Sequence, residues 1–158
     1  MNNLELTDQE VRQLHKADPN WRPALERQFG KEFFSQDVTE RINGLEDMFR
    51  EADRPVVENF GDVPVDLIPF MRSVYENVVM AEAYNGCKGM DIYNSDEERH
   101  YPYFDCNVSP SSFAFDDSYY DRSSAGAGSG SRLAFKKREH VEHAATKHTG
   151  VFRKMLES

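Results

Sequence analysis

The chain is short of the aliphatic residues that most often fill a protein core. Its 158 residues include 8 Leu and 3 Ile, against 12 Val and 11 Phe. Together these four types make up about 22% of the sequence, just above the ~20% below which a charged chain is expected to stay disordered. Much of the apolar volume must therefore come from Phe and from 7 Tyr. Cysteine is also scarce. Cys87 and Cys106 are 19 positions apart with no Cys-x-x-Cys, which excludes a disulfide-stapled mini-protein or a zinc knuckle and makes two free thiols the expectation. No apolar run approaches the ~18 residues of a membrane span. The opening MNNLELTDQEV lacks the basic and apolar regions of a secretory signal, so a cytoplasmic or virion-internal location is expected.

Catalytic signatures are missing as well. There is no phosphate-binding Gly-x-x-x-x-Gly-Lys, and the serines have no nucleophile-elbow context. His140 and His143 are spaced i, i+3, but the string Glu139-His140-Val141-Glu142-His143 fits neither zincin pattern and offers no third ligand, so no metal site is assigned. A cysteine paired with a histidine from elsewhere in the chain remains a formal thiol nucleophile. No cofactor is expected.

What the chain does carry is charge, unevenly placed. It holds 28 acidic and 19 basic side chains, for a net charge of −9. Residues 132–158 contribute 7 basic and 3 acidic side chains plus three histidines, and everything before them is strongly acidic. Such an acidic body repels phosphate at long range, which argues against broad nucleic-acid binding.

Helix signals dominate the first 86 residues. Thr7-Asp8-Gln9-Glu10 is a capping box, with Leu6 and Val11 at the staple positions and a stop at Asp18-Pro19. Trp21, Leu25, Phe29 and Phe33 repeat every four residues and predict a second helix, weakened at Gly30. Asp37 is placed to cap a third, along which Val38, Ile42, Leu45 and Phe49 fall on one face until Arg54-Pro55. Asp66 is the expected cap of a fourth and most apolar helix, with Pro69 in its first turn and Asn85-Gly86 as its stop. The predicted core is Val11, Leu14, Trp21, Leu25, Phe29, Ile42, Leu45, Phe49, Leu67, Met71, Val74 and Val78.

Residues 87–131 lose the helical period. They hold eight Phe or Tyr, eight Asp or Glu and nine Ser, and end in a Gly/Ser-rich linker over 123–131. Alternation of Tyr101, Tyr103 and Asp105, and again at Phe113 and Phe115, allows a small β hairpin within 99–116. Aromatics bury large areas for few frozen torsions, so Tyr101, Tyr103, Phe113, Phe115, Tyr119 and Tyr120 are the candidate partner-binding residues. From Arg132 to Leu156 the pattern predicts one amphipathic helix, bent near Thr149-Gly150. Val141, Ala144, Ala145, His148, Phe152 and Met155 make its apolar face, with His148 read as a packed core residue. Lys136, His140, His143, Lys147 and Lys154 form a basic stripe beside it, the candidate contact for an anion, an acidic partner or the chain's own acidic helices.

The expected fold is mainly α: a small irregular helical bundle over 1–86, an extended aromatic and acidic arm with a Gly/Ser linker over 87–131, and a basic amphipathic helix over 132–158, with the hairpin as a minor element. The expected role is a non-enzymatic protein–protein interaction or assembly protein that works with other subunits in a homo- or hetero-oligomer. Its composition resembles that of phage and viral structural or accessory components, an analogy of composition alone. A nucleic-acid-contacting protein using the C-terminal helix is the alternative. A small metal- or thiol-dependent enzyme is the third reading.

Overall fold

The first helix starts where its capping box puts it. In the computed structural model, which describes residues 6–107, 109–126 and 130–158 (of Gln9 and Ser35, the backbone alone), Thr7 Oγ1 accepts from the Glu10 amide at 3.3 Å. The Glu10 carboxylate accepts in return from the Thr7 amide at 2.8 Å. This closes the N-terminus of α1, Asp8–Ala17, and turns Val11 into the interior.

The second and third expected helices are each divided in two, the second at the Gly30 already read as its weak point. Gly30 adopts φ +85°, a conformation that L side chains rarely take, and separates α2, Arg22–Phe29, from α3, Lys31–Ser35. The four-residue stripe therefore does not share one face: Leu25 is buried, whereas Trp21 is 53% exposed and Phe29 is exposed too. Asp37 caps α4, Val38–Arg41, by accepting from the Thr39 amide at 2.9 Å. The chain then turns at Ile42–Gly44 before α5, Leu45–Glu51. The Asp47 carboxylate fixes that turn by accepting from the Asn43 amide at 2.8 Å. Val38, Ile42 and Phe49 are buried in spite of the interruption, and Leu45 packs against them.

The longest helix, α6, spans Ile68–Asn85. Asp66 does not cap it. A 3-10 turn over Val65–Leu67 leads into it, Leu67 stands at the cap without a side-chain bond, and Pro69 fills a first-turn position with no amide to lose. Its end is as expected, with Gly86 in the left-handed region at φ +63°. The burial is displaced toward the C-terminal half. Leu67 and Met71 are exposed, Leu14, Val74 and Val78 are half-buried, and Val79 to Tyr84 are all buried. The cause is what covers the helix: α5 and α8, Thr149–Glu157, pack on it, and Asn77 ties it to α8 by donating to the Val151 carbonyl at 3.0 Å.

Two antiparallel strands, β1 (Arg99–Asp105) and β2 (Ala114–Asp121), form the hairpin, with Tyr101 opposite Tyr119. A register shift between Tyr103 and Phe104 brings Phe104 opposite Phe115. Of the expected Gly/Ser linker, 127–129 lie outside the described residues.

The single helix expected over 132–158 is an extended strap followed by two helices. Phe135, 1% exposed, is drawn into the core, and its backbone exchanges two hydrogen bonds with His100 at 2.8 and 2.7 Å. Helical structure begins with α7, Arg138–Lys147, and bends at His148 into α8. One cluster of buried residues runs from Val38 and Ile42 through Val79, Met80 and Tyr84 to Phe135, Val141 and Phe152. Two buried carboxylates brace it, each held by two arginines. Glu82 accepts from Arg54 at 2.7 and 2.8 Å and from Arg132 at 2.9 Å. Glu51 accepts from Arg12 at 3.0 Å and from Arg41 at 3.1 Å. The chain is thus mainly α-helical, and no helix among its described residues is long and apolar enough to cross a membrane.

Candidate functional site

Strand alternation gives the hairpin two faces with different surroundings. On one, Phe104 stacks on Phe113 at 4.8 Å and meets Phe152 of α8 at 5.2 Å, while Phe115 packs against the core cluster. Ser118, on the same side, reaches Glu142 of α7 at 3.4 Å. On the other face Tyr103 and Tyr119 stand 51% and 52% exposed, edge to face with ring centroids 4.8 Å apart. Tyr101 adjoins Tyr103 at 5.9 Å. Its hydroxyl bonds Asp121 at 3.3 Å, and burial, with Asp121 beside it, raises its pKa. Tyr120 is also exposed, with its ring against His100 and the Arg122 guanidinium. Of the six aromatics singled out in the sequence, Phe113, Phe115 and Tyr101 are at least partly turned to the chain's own body, and Tyr103, Tyr119 and Tyr120 face outward.

Beside the exposed pair runs an apolar groove of about 320 Å³ between β1 and α8. Tyr101, Tyr103 and Phe104 form one wall, and Phe152, Met155 and Leu156 the other. Asn77 lies at its floor, 2% exposed. Its amide nitrogen is fully used, donating to Ser73 and Val151, but its carbonyl oxygen is buried with no hydrogen-bond partner among the described residues. An unpaired buried acceptor costs about 1–3 kcal/mol, which a ligand donor entering the groove would recover. Nothing in the sequence marks Asn77: it is one polar residue within an apolar helix, and its meaning depends on Val151, 74 positions later.

The structure distributes the basic stripe over the chain's own groups. Lys147 donates to the Ile42 carbonyl at 2.8 Å and to Asn43 at 3.1 Å. Lys154 lies 3.7 Å from Glu76, and Lys136, which precedes the helix, lies 3.4 Å from Glu97. His143 Nδ1 shares a 2.8 Å hydrogen bond with the Tyr84 hydroxyl. His140 is buried, with burial and the nearby Lys137 holding its pKa below the usual range. His148 is buried as expected, its pKa lowered to about 4, first by desolvation and then by Lys147 and His143. No histidine is among the hydrogen-bond partners of Cys87, whose thiol points to the Gly89 carbonyl at 3.2 Å. Cys106 is exposed and also free.

The site so defined is an aromatic face and an adjoining groove on a helical scaffold. No known family model matches the chain, and comparison with curated proteins and with solved structures found no match.

Proposed function

We propose that the protein is a non-enzymatic interaction module that docks another protein subunit on the Tyr103–Tyr119 face and in the groove beside it. The observation that carries this reading is the unpaired Asn77 carbonyl at the floor of an apolar groove whose rim is exposed tyrosine. Tyrosine at such a rim offers area, rigidity and a hydroxyl together, the usual composition of an interface anchor. The complementary partner inserts an apolar or aromatic side chain ending in a donor. It flanks that side chain with Lys or Arg, to meet Asp105 and Asp121 on the same hairpin. The nucleic-acid alternative is less favoured, because Lys136, Lys147 and Lys154 all have partners within the chain.

The test compares wild type with Tyr103→Ser/Tyr119→Ser. Native mass spectrometry of the protein from its source identifies a co-purifying subunit, which is then purified and titrated directly. Sedimentation of the protein alone tests for a second copy as the partner. The double substitution is expected to weaken either association by at least tenfold while leaving the melting temperature unchanged. Association indifferent to both substitutions removes the proposal.

A further inference from the structure

A second cavity, at the C-terminal end of α6 and sharing no lining residue with the hairpin groove, has the chemistry of an anion site. It is a cleft of about 620 Å³ between α1, α4 and the start of α7. Five cations line it, Arg12, Lys16, Arg22, Arg41 and Lys137, against two carboxylates, Asp37 and Glu51. In a chain of net charge −9 this is a concave region of the opposite sign. Both carboxylates are already engaged. Glu51 is held by Arg12 and Arg41, and Asp37 accepts from the Thr39 amide and hydroxyl at 2.9 and 2.7 Å. Arg22 donates to the His15 and Lys16 carbonyls, Arg41 to Glu51 and the Gln36 carbonyl, and Lys137 to Glu139, so the cations keep part of their donor capacity. Arg12 makes its bonds through Nε and Nη1, leaving Nη2 without an acceptor among the described residues.

Two further features point into the same space. The N-terminus of α7 has no side-chain cap among the described residues, and Lys137 and His140, its cap and third residues, line the cleft. His140 is 6% exposed; the Tyr84 backbone is near its ring, but neither ring nitrogen makes a well-formed hydrogen bond among the described residues, and the nearest acidic oxygen, on Glu139, is 4.0 Å away. A buried imidazole this weakly paired is costly unless something completes it. The cleft also has an aromatic wall, where Phe34 lies parallel to His15 with centroids 4.0 Å apart.

We propose that this cleft binds a small organic phosphate. The phosphoryl group meets Arg12, Lys137 and His140 at the uncapped helix start, and the organic part lies against Phe34. Guanidinium, ammonium and helix amides together match a phosphoryl group better than any apolar or cationic ligand. The volume suits a nucleotide-sized molecule and exceeds what an inorganic ion needs.

The experiment titrates the isotope-labelled full chain with adenosine 5′-monophosphate, ribose 5-phosphate and inorganic phosphate at low ionic strength. It follows the amides of residues 137–141 and the His15 and His140 imidazoles by NMR. The expected result is saturable shifts in those signals, with a Kd at or below about 1 mM for the best ester and binding weaker by roughly tenfold or more for inorganic phosphate. Arg12→Gln would strip a buried carboxylate of its partner and is a poor test. Lys16→Gln/Lys137→Gln removes two exposed cations, leaves the Glu51 pairs intact, and should weaken binding about tenfold. Arg27→Gln, outside the cleft, should leave it unchanged. Shifts that do not saturate, that centre elsewhere, or that survive the double substitution overturn the proposal. So does inorganic phosphate binding as tightly as the esters, or a single-stranded oligonucleotide binding far more tightly than any monophosphate.

Discussion

Tyr84 is surrounded by His140, His143 and His148, with ring centroids 5.8, 5.8 and 6.4 Å from its own. All three histidines have lowered pKa values, led in each case by desolvation. For His148 the fall is from 6.5 to about 4, so between those values the folded chain binds fewer protons than the unfolded one. Its contribution to stability is complete above pH 6.5 and declines as the pH drops toward about 4, where it is exhausted. The loss should be on the order of 3 kcal/mol for this residue, with His140 and His143 adding in the same direction. Urea unfolding at pH 7 and pH 4.5 measures it, and His148→Phe should flatten the dependence; equal midpoints at the two pH values would contradict the account. A second residue-scale expectation concerns Glu82. Removing its carboxylate in Glu82→Ala leaves Arg54 and Arg132 facing a vacated pocket, though both can turn partly to water. The cost should be about 2–3 kcal/mol, read as a lowered unfolding midpoint.

At the scale of elements, the hairpin separates packing from recognition along a single strand. Phe104→Ala should cost about 2–3 kcal/mol, because its ring is half-buried against Phe113 and Phe152. Tyr103→Ser, one position away on the exposed face, should change stability by no more than ~0.5 kcal/mol. Thermal melts of the two variants side by side test the division, and equal losses would mean that the outward face is packed in solution. The alternation behind this split is legible in the sequence, and so are the stops and caps that depend on neighbours within four positions: Thr7 with Glu10, Asp37 with Thr39, and Gly86. Where a distant residue decides, local pattern misleads. Phe135 fits a helix until it pairs with His100, 35 positions earlier, so the helix starts late and Lys136 leaves the stripe. Gly30 and the Asn43-Gly44 turn break two periodic runs whose apolar residues still reach the core by other routes. The cleft residues Arg12, Arg41 and Lys137 come from three separate elements, and nothing in their spacing unites them.

For the whole molecule, the acidic excess and the basic C-terminal segment are arranged so that the second meets parts of the first. Lys136→Gln/Lys147→Gln/Lys154→Gln should lower stability by about 1–2 kcal/mol in total. Most of it should come from Lys147, because exposed ion pairs such as the other two contribute ~0–1 kcal/mol each. Nucleic-acid binding at ~0.15 M salt should be negligible before and after. Fluorescence anisotropy with a labelled duplex and a labelled single strand checks this, and binding that the substitutions abolish would restore the nucleic-acid alternative.

The strap and the last two helices also give the chain a history. Lys147 closes on the carbonyl of Ile42 across 105 positions, and Asn77 waits for Val151 across 74. At ~5–20 residues per second, a ribosome needs roughly 5–20 s to deliver Lys147 after Ile42. Through that interval α4, α5 and α6 exist without the residues that cover their inner faces, and Ile42, Val79 and Met80 remain open to any apolar surface nearby. Completion of the fold therefore waits for synthesis of α7 and α8. A chain halted after Asn85 should bind chaperones and resist folding, and a substitution at Val141 or Phe152 should deplete the protein in cells as severely as one at Ile42.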